Sequence, residues 1–411
     1  MRLPASRAEC EQWDAHDRLA HLRTRFQLRP GIIYLDGNSL GALTHDSAVR
    51  ARSMIEEEWG RDLIRSWNLH GWFDLPHRLG ARIAPLIGAS PDEVLVADST
   101  SVNLFKLASA AVMRRGHRHR VVTESGNFPT DVYVLQGLAQ LAGGAIEVVA
   151  VPRAEVAHRI DDSTFLVVLT HVHYKSAELF DLAAVTRRAH ACGAQMLWDL
   201  SHSVGALPVD LESAGADFAI GCTYKYLNGG PGSPAFLYVR DDLQDTIHPG
   251  LAAWMGHAAP FDFSDDYDPA PGMARHRSGT PSLIAFAALE GALGVWDGID
   301  VRDVQRKSQD LSELFIARIE ALPDSGLLLA SPRDPAQRGS HVALTHPRGY
   351  ELMQALIERG VIGDFRAPDI VRFAFTPLYL RYTDVWDAAT ILGEVLATLD
   401  HARIMPRDVV T

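Results

Sequence analysis

From about Pro91 onward the chain alternates short apolar runs with amphipathic stretches, and few folds satisfy that rhythm. The apolar runs are Arg120–Thr123, Ala145–Val151, Phe165–Thr170, Met196–Trp198, Phe218–Gly221 and Ala235–Val239. Helical stretches at Asn103–Met113, Thr130–Leu141 and Asp181–Cys192 lie between several of them. A strand buried on both faces has no polar side to alternate with, so it reads as a continuous apolar run. Such strands spaced by helices predict an α/β domain with a mostly parallel sheet between helix layers. Ligands of such sheets bind outside the carboxyl ends of the strands. The residues just after each apolar run are therefore the ones to read for chemistry.

The rest of the chain frames that domain. The N-terminal segment reads as a helix over Glu9–Phe26, an extended piece at Ile32–Leu35, the turn Asp36-Gly37-Asn38-Ser39, and a helix near Ser47–Trp59. The stretch His257–Pro281, rich in Pro, Gly and Asp, reads as a long loop. A helix over Pro281–Trp296 leads to a smaller α+β part with a helix at Val301–Leu322, a strand at His341–Thr345, a helix at Tyr350–Arg359 and a strand at Val371–Phe375. The expected division is an N-terminal segment, 1–60, packing with the small domain, a large domain, 61–295, and a small C-terminal domain, 296–411.

Charge and cysteine usage exclude several function classes. A formal net charge of -12 disfavours nucleic acid, whose phosphates need a basic surface. No apolar run is long enough to span a bilayer. The opening MRLPASRAECEQWDAHD lacks the apolar segment of a secretory signal. Cys10, Cys192 and Cys222 form neither a disulfide framework nor a zinc spacing, which fits a reducing cytoplasm. His171 with His173, and His117 with His119, lack the spacing of a metal site, so no metal is expected.

Three strand ends carry candidate chemistry. Asp98-Ser99-Thr100-Ser101 precedes a helix, where hydroxyls and free N–H groups either cap the helix or bind an anion. Asp199 ends an apolar strand and is followed by Ser201 and His202. A carboxylate there either caps the next turn or pairs with a buried cation such as a pyridinium nitrogen. Lys225 lies between Tyr224 and Tyr226, before the turn Asn228-Gly229-Gly230-Pro231-Gly232. A lysine in an apolar pocket can serve as a nucleophile, although most lysines are solvated. Lys106, Lys175 and Lys307 are the alternatives. Lys307 sits among Arg and Gln on an amphipathic helix and reads as a surface residue, whereas Lys175 follows a strand and is the real rival. Lys225 lies one strand–helix–strand step beyond Asp199, so neighbouring strand ends would bring both to one cleft.

These motifs resemble the fold type I pyridoxal-phosphate enzymes of aminotransferase class V, and within that group the kynureninases. The resemblance rests on Asp199-x-x-His202, on Tyr224-Lys225-Tyr226-Leu227-Asn228-Gly229-Gly230-Pro231-Gly232, and on further pieces. Those are Tyr34-Leu35-Asp36-Gly37-Asn38-Ser39-Leu40-Gly41, Thr100-Ser101-Val102-Asn103-Leu104, Phe128-Pro129-Thr130-Asp131, Arg277-Ser278-Gly279-Thr280-Pro281 and Val371-Arg372-Phe373. It implies pyridoxal 5'-phosphate held as a Schiff base on Lys225, with Asp199 on the pyridinium nitrogen and His202 beside the cofactor. It also implies Phe128 stacked on the ring, with Pro129, Thr130, Asp131 and Thr170 completing the wall. Thr100, Ser101 and Tyr224 would lie at the phosphate, with Tyr224 also a proton-transfer candidate. Trp254 and Thr280 would come from the neighbouring subunit of a homodimer, and Arg372 would clamp the substrate α-carboxylate. The implied reaction is hydrolysis of L-kynurenine, and by extension 3-hydroxykynurenine, to anthranilate and L-alanine in tryptophan catabolism, a route that also feeds NAD biosynthesis. Trp67 or Trp72 is a candidate to pack on the aniline ring. The rival readings are a cysteine desulfurase, an aminotransferase, or a non-catalytic cofactor-binding regulator.

Overall fold

A computed structural model describes residues 3–323 and 325–399. The last twelve residues of the expected small domain, 400–411, lie outside the described residues. The first helix, Arg7–His16, is capped by Ser6, whose hydroxyl accepts from the Glu9 N–H. The helix expected to run on to Phe26 stops at Asp17 instead. The Asp17 carboxylate accepts from the Leu19 N–H at 2.9 Å, a local bond that competes with helix continuation. Strand β1, Ile33–Tyr34, follows. The next helix, His45–Ser53, starts at a Thr44 cap and widens to a π-helical turn over Met54–Trp59.

A seven-stranded sheet is the centre of the large domain. Its strands are β2 (Val94–Val96), β3 (Arg120–Glu124), β4 (Glu147–Val151), β5 (Thr164–Thr170), β6 (Gln195–Asp199), β7 (Phe218–Gly221) and β8 (Phe236–Val239). Their order is β2-β8-β7-β6-β5-β3-β4. The pairs from β7 through β4 are parallel, and β8 runs antiparallel to both β7 and β2. Strand β5 is buried along its whole length, as its unbroken apolar run requires. Strand β4 was expected to be buried too, but it is the sheet edge and partly exposed. Three helices, Thr100–Met113, Pro129–Leu141 and Leu182–Ala191, cross between strands.

The C-terminal part follows the helix Leu283–Leu293. It holds a four-stranded antiparallel sheet of β9 (Leu328–Leu329), β10 (His341–Thr345), β12 (Asp364–Arg366) and β13 (Ile370–Ala374), in the order β12-β13-β10-β9. A further strand, β11 (Val361–Ile362), pairs in parallel with β1. Helices Val301–Glu320, Gly349–Glu358 and Tyr382–Thr398 also belong to this part.

Lys307 corrects an expectation. It is only 5 % exposed, and its Nζ lies 2.6 Å from an Asp17 carboxylate oxygen and 2.6 Å from the Pro377 carbonyl. The polar neighbours that suggested a solvated face sit on the other sides of the helix. The N-terminal segment covers the Lys307 side with a carboxylate of its own. Among the described residues no helix is long and apolar enough to cross a membrane.

Candidate active site

A cavity of about 530 Å³ opens at the carboxyl ends of β5, β6 and β7. Lys225, Tyr224, Asp199, His202, Asp131, Thr170, Phe128, Thr130, Thr100 and Ser101 all line it. Parallel pairing of β6 with β7 puts Asp199 opposite Ile220, so the Lys225 loop leaves the sheet beside the carboxylate. The N-terminal segment lies against the same loop. The Gly41 N–H donates to the Tyr224 carbonyl at 2.7 Å, and Asn228 Nδ2 donates to the Ala42 carbonyl at 3.0 Å. A Cβ on Gly41 would come within 2.1 Å of the Lys225 carbonyl, so only glycine permits this approach.

Lys225 Nζ lies 2.9 Å from His202 Nε2. His202 is buried; burial and the Lys225 charge hold its pKa well below the ordinary histidine range, so the ring is neutral. Asp199 is buried and accepts from the Ser201 N–H at 2.7 Å. Asp131 is buried beside it and receives Asn127 Nδ2 at 3.2 Å and Thr170 Oγ1 at 3.3 Å. Burial raises the pKa of both carboxyls, and the Asp199 charge raises that of Asp131 further. Asp131 Oδ1 and His202 Nδ1 are buried without a hydrogen-bond partner among the described residues. Orphaned buried polar atoms around a cavity are what a bound polar group satisfies.

The opposite wall begins a helix. Ser99 caps it, accepting from the Val102 N–H at 3.4 Å. The first turn of such a helix presents N–H groups without intrahelical acceptors, here with the Thr100 and Ser101 hydroxyls added. The cap and the anion site are thus separate residues. Lys106 braces this wall from within: it is fully buried, pairs with Asp98, and donates to the His276 carbonyl at 2.5 Å.

Four predicted residues lie elsewhere. Pro129 is the first residue of its helix and does not line the cavity. Trp254 is 42 % exposed and stacks edge-on against Phe261. Thr280 lines a neighbouring cavity. Arg372 is buried behind the wall formed by Ser39 and Tyr174. Its Nε donates to Asp364 Oδ1 at 2.7 Å, Nη2 donates to Asp364 Oδ2, and Nη1 donates to the Tyr174 carbonyl. The guanidinium fork read from the sequence as free for a ligand is thus occupied by Asp364. Trp72 packs with Met54 and Ala287 and donates to Glu58 at 2.5 Å, and Trp67 packs against it. Neither tryptophan lines the cavity.

Sequence reasoning missed Asp364, Arg366, Asn127 and Tyr174. Asp364 also receives Ser39 Oγ at 2.6 Å and Arg366 Nη2 at 2.7 Å. The alternation Asp364-x-Arg366 on a strand was the available signal, but its partner strand was not predictable. Burial, and then the neighbouring Asp364 charge, push the Asp36 carboxyl up to about 7. A carboxyl with a raised folded-state pKa binds its proton more tightly folded than unfolded. Its contribution to stability is therefore greatest below about pH 4 and is lost as pH rises through about 7. Asp36→Asn is expected to flatten the pH dependence of the urea midpoint across that window relative to the parent chain. Parallel pH profiles for the two proteins would refute the assignment.

A family model described as the Kynureninase C-terminal domain matches residues 304–392. A kynureninase from Pseudomonas fluorescens is 50% identical over 398 residues, covering 95% of each chain. The chain belongs to the kynureninase family. A second kynureninase, from Burkholderia mallei, is 49% identical over 401 residues and 96% of each chain. Among solved structures, a cysteine desulfurase from Thermococcus onnurineus aligns with TM-score 0.79 at 17% identity, covering 97% of this chain and 99% of its own. One from Escherichia coli aligns with TM-score 0.78 at 18% identity, covering 93% and 99%. Those likenesses show that this kynureninase-family chain has the fold type I architecture of the pyridoxal-phosphate enzymes, as the strand–helix rhythm and the motifs predicted.

Proposed function

We propose that this chain is a pyridoxal-phosphate-dependent hydrolase that cleaves L-kynurenine into anthranilate and L-alanine, a step of tryptophan catabolism. One observation carries the reading. In a chain half identical to kynureninases over nearly its full length, Lys225, two buried carboxyls and a helix N-terminus face one cavity. The residues fit the cofactor. The orphaned Asp131 Oδ1 and His202 Nδ1 await polar partners, and the Thr100–Ser101 turn suits a phosphate. When bound, pyridoxal phosphate supplies an electron sink for the bond-breaking at the substrate.

The chain's own residues do the rest. Lys225 anchors the cofactor and then moves a proton at the substrate Cα. Asp199, with Asp131 beside it, would pair with the pyridine nitrogen of the bound cofactor. Thr100, Ser101 and Tyr224 would hold its phosphate, and Phe128 would pack on its ring. The Cys222 neighbour and then burial push the Tyr224 phenol up, so it is protonated at neutral pH and can donate a hydrogen bond. Water adds to the side-chain carbonyl carbon, which leaves as the ring carboxylate of anthranilate. Cβ takes a proton and becomes the alanine methyl. Arg372 holds the α-carboxylate through the Ser39–Tyr174 wall, which requires its pairing with Asp364 to loosen.

The reading includes a homodimer with shared sites. Trp59, Ile64, Trp254, Phe261 and Phe263 are large apolar side chains left exposed. Trp254 and Thr280 would reach the partner's cofactor from there. The first half of the segment 1–60 packs with the small domain, 296–411, while helix His45–Ser53 packs on helix Leu283–Leu293 of the large domain, 61–295. Helix Arg7–His16 packs on helix Tyr382–Thr398, and β1 pairs with β11. The thiols of Cys10, Cys192 and Cys222 are all unpaired, which suits the cytoplasm.

The decisive experiment adds L-kynurenine to the purified, cofactor-loaded protein and follows anthranilate fluorescence, with 3-hydroxykynurenine and L-cysteine run beside it. Anthranilate release is expected, with no sulfide from cysteine. Sulfide production without anthranilate would replace this reading with a desulfurase. The same preparation should scatter light as two copies of the 45.1 kDa chain. A single-chain mass would remove the shared-site part.

A further inference from the structure

The Lys225 amine meets His202 through one nitrogen of the imidazole, Nε2, at 2.9 Å. The other nitrogen, Nδ1, is buried without a hydrogen-bond partner among the described residues, and it has a second imidazole for a neighbour. That neighbour is His341, whose ring centre lies 5.5 Å from that of His202. His341 is the first residue of β10, in the C-terminal part, whereas His202 and Lys225 follow strands β6 and β7 of the large domain. It is fully buried, and neither of its ring nitrogens has a hydrogen-bond partner among the described residues. The Lys175 backbone faces the ring and favours its charged form, but makes no full hydrogen bond with it.

Burying a polar ring without partners is costly, and a leucine would fill much of the same space without that cost. The fold alone therefore gives no reason for a histidine at 341. Burial, first of all, keeps both rings neutral. On His202 the Lys225, His341, Arg372 and His173 groups act in the same direction as burial. On His341 Arg372 and His173 do so too, and the opposing Asp364 charge does not outweigh them. A neutral imidazole carries one N–H and one bare nitrogen, so the role of either nitrogen fixes that of the other. An amine that donates to Nε2 needs that nitrogen bare, which puts the ring proton on Nδ1. Nδ1–H then needs an acceptor, and His341 is the side chain beside it that can offer one.

We propose that His341 is a positioning residue of the reaction: after a small turn of the two rings it accepts from His202 Nδ1–H, and so holds the bare Nε2 of His202 toward the Lys225 amine. The remaining N–H of His341 is then free to serve the Lys175 backbone. Without His341 the other His202 tautomer turns an N–H on the amine and removes its acceptor. The part of the chain that carries Arg372 thus also reaches Lys225. The inference rests on Lys225 as the cofactor's anchor.

The test titrates the visible absorbance of the full cofactor-loaded chain against pH, for the parent, His341→Leu and His341→Gln. An acceptor beside the amine favours its protonated form, so His341→Leu should move the midpoint down by about one pH unit. His341→Gln, which keeps an acceptor, should restore most of that shift. A Leu variant that titrates with the parent, whatever its stability in urea, shows a structural role only and overturns the proposal. A Gln variant that titrates with the Leu variant overturns it as well. Should the Leu variant not fold, nitrogen NMR of the histidine-labelled parent decides, with the His202 signals identified by their loss in His202→Gln. The His202 proton is expected on Nδ1, and a proton on Nε2 overturns the role. A shifted Leu midpoint in a chain that leaves L-kynurenine intact would retain the role of His341 and refute the proposed reaction instead.

Discussion

Lys225→Ala should lower anthranilate release from L-kynurenine by at least about 10³-fold, since it removes both the cofactor anchor and the proton carrier at Cα. The visible absorbance of the lysine-bound cofactor should disappear with it. The other lysines cannot substitute. Lys106 is held by Asp98 and the His276 carbonyl, and Lys307 by Asp17 and the Pro377 carbonyl. Lys175, the rival in the sequence, sits over the Tyr174 ring and does not line the cavity. Lys225 lines the cavity, and among the described residues its amine has the neutral His202 ring as its hydrogen-bond partner. Single-turnover kinetics and an absorbance spectrum of the variant check this. A Lys225→Ala protein that turns over within tenfold of the parent rate would sink the assignment.

Arg372→Ala should have a double effect, on stability as well as on KM. Arg372 is 2 % exposed and Asp364 1 % exposed, and the two meet through two parallel N–H···O bonds. Burial opposes ionisation of Asp364, yet the Arg372 guanidinium, helped by Arg366, holds its pKa below the ordinary carboxylate value. Removing one member of a buried pair leaves the other charge uncompensated, at a cost of about 3–5 kcal/mol. Arg366 remains beside Asp364, which places the expected loss at the lower end of that range, about 3 kcal/mol. The substrate clamp is lost as well, so KM should rise with a smaller change in kcat. The double variant Arg372→Ala/Asp364→Ala separates the two roles. It should regain most of the urea-unfolding free energy while KM stays high. A double variant whose KM returned to the parent value would show that Arg372 acts only as the partner of Asp364.

Much of the site was legible because motif and topology coincide. Strand ends in a parallel sheet face one way, so Asp199 and the Lys225 loop had to meet wherever β6 and β7 were neighbours. Asp131 and Thr170, which the family resemblance implied, line the same cavity. Local chemistry was legible too: the Thr100–Ser101 helix start and the glycine turn after Asn228 depend only on adjacent residues. Errors arose where a distant segment supplied the partner. Lys307 looked solvated because its own helix is polar around it, and Asp17 comes from elsewhere in the chain. Strand β4 looked buried because its residues are apolar, yet sheet order placed it at the edge.

The sequence by itself determined the fold class, the cofactor-type motifs and the choice of Lys225 over three other lysines. Periodicity, strand-end position and motif spacing are all properties of neighbouring residues. Only the tertiary structure decided that the Arg372 fork is engaged by Asp364 and that Lys106 and Lys307 are buried ion-pair partners. A charged side chain is tolerable in the interior only with a partner, and which residue becomes that partner depends on how remote segments pack.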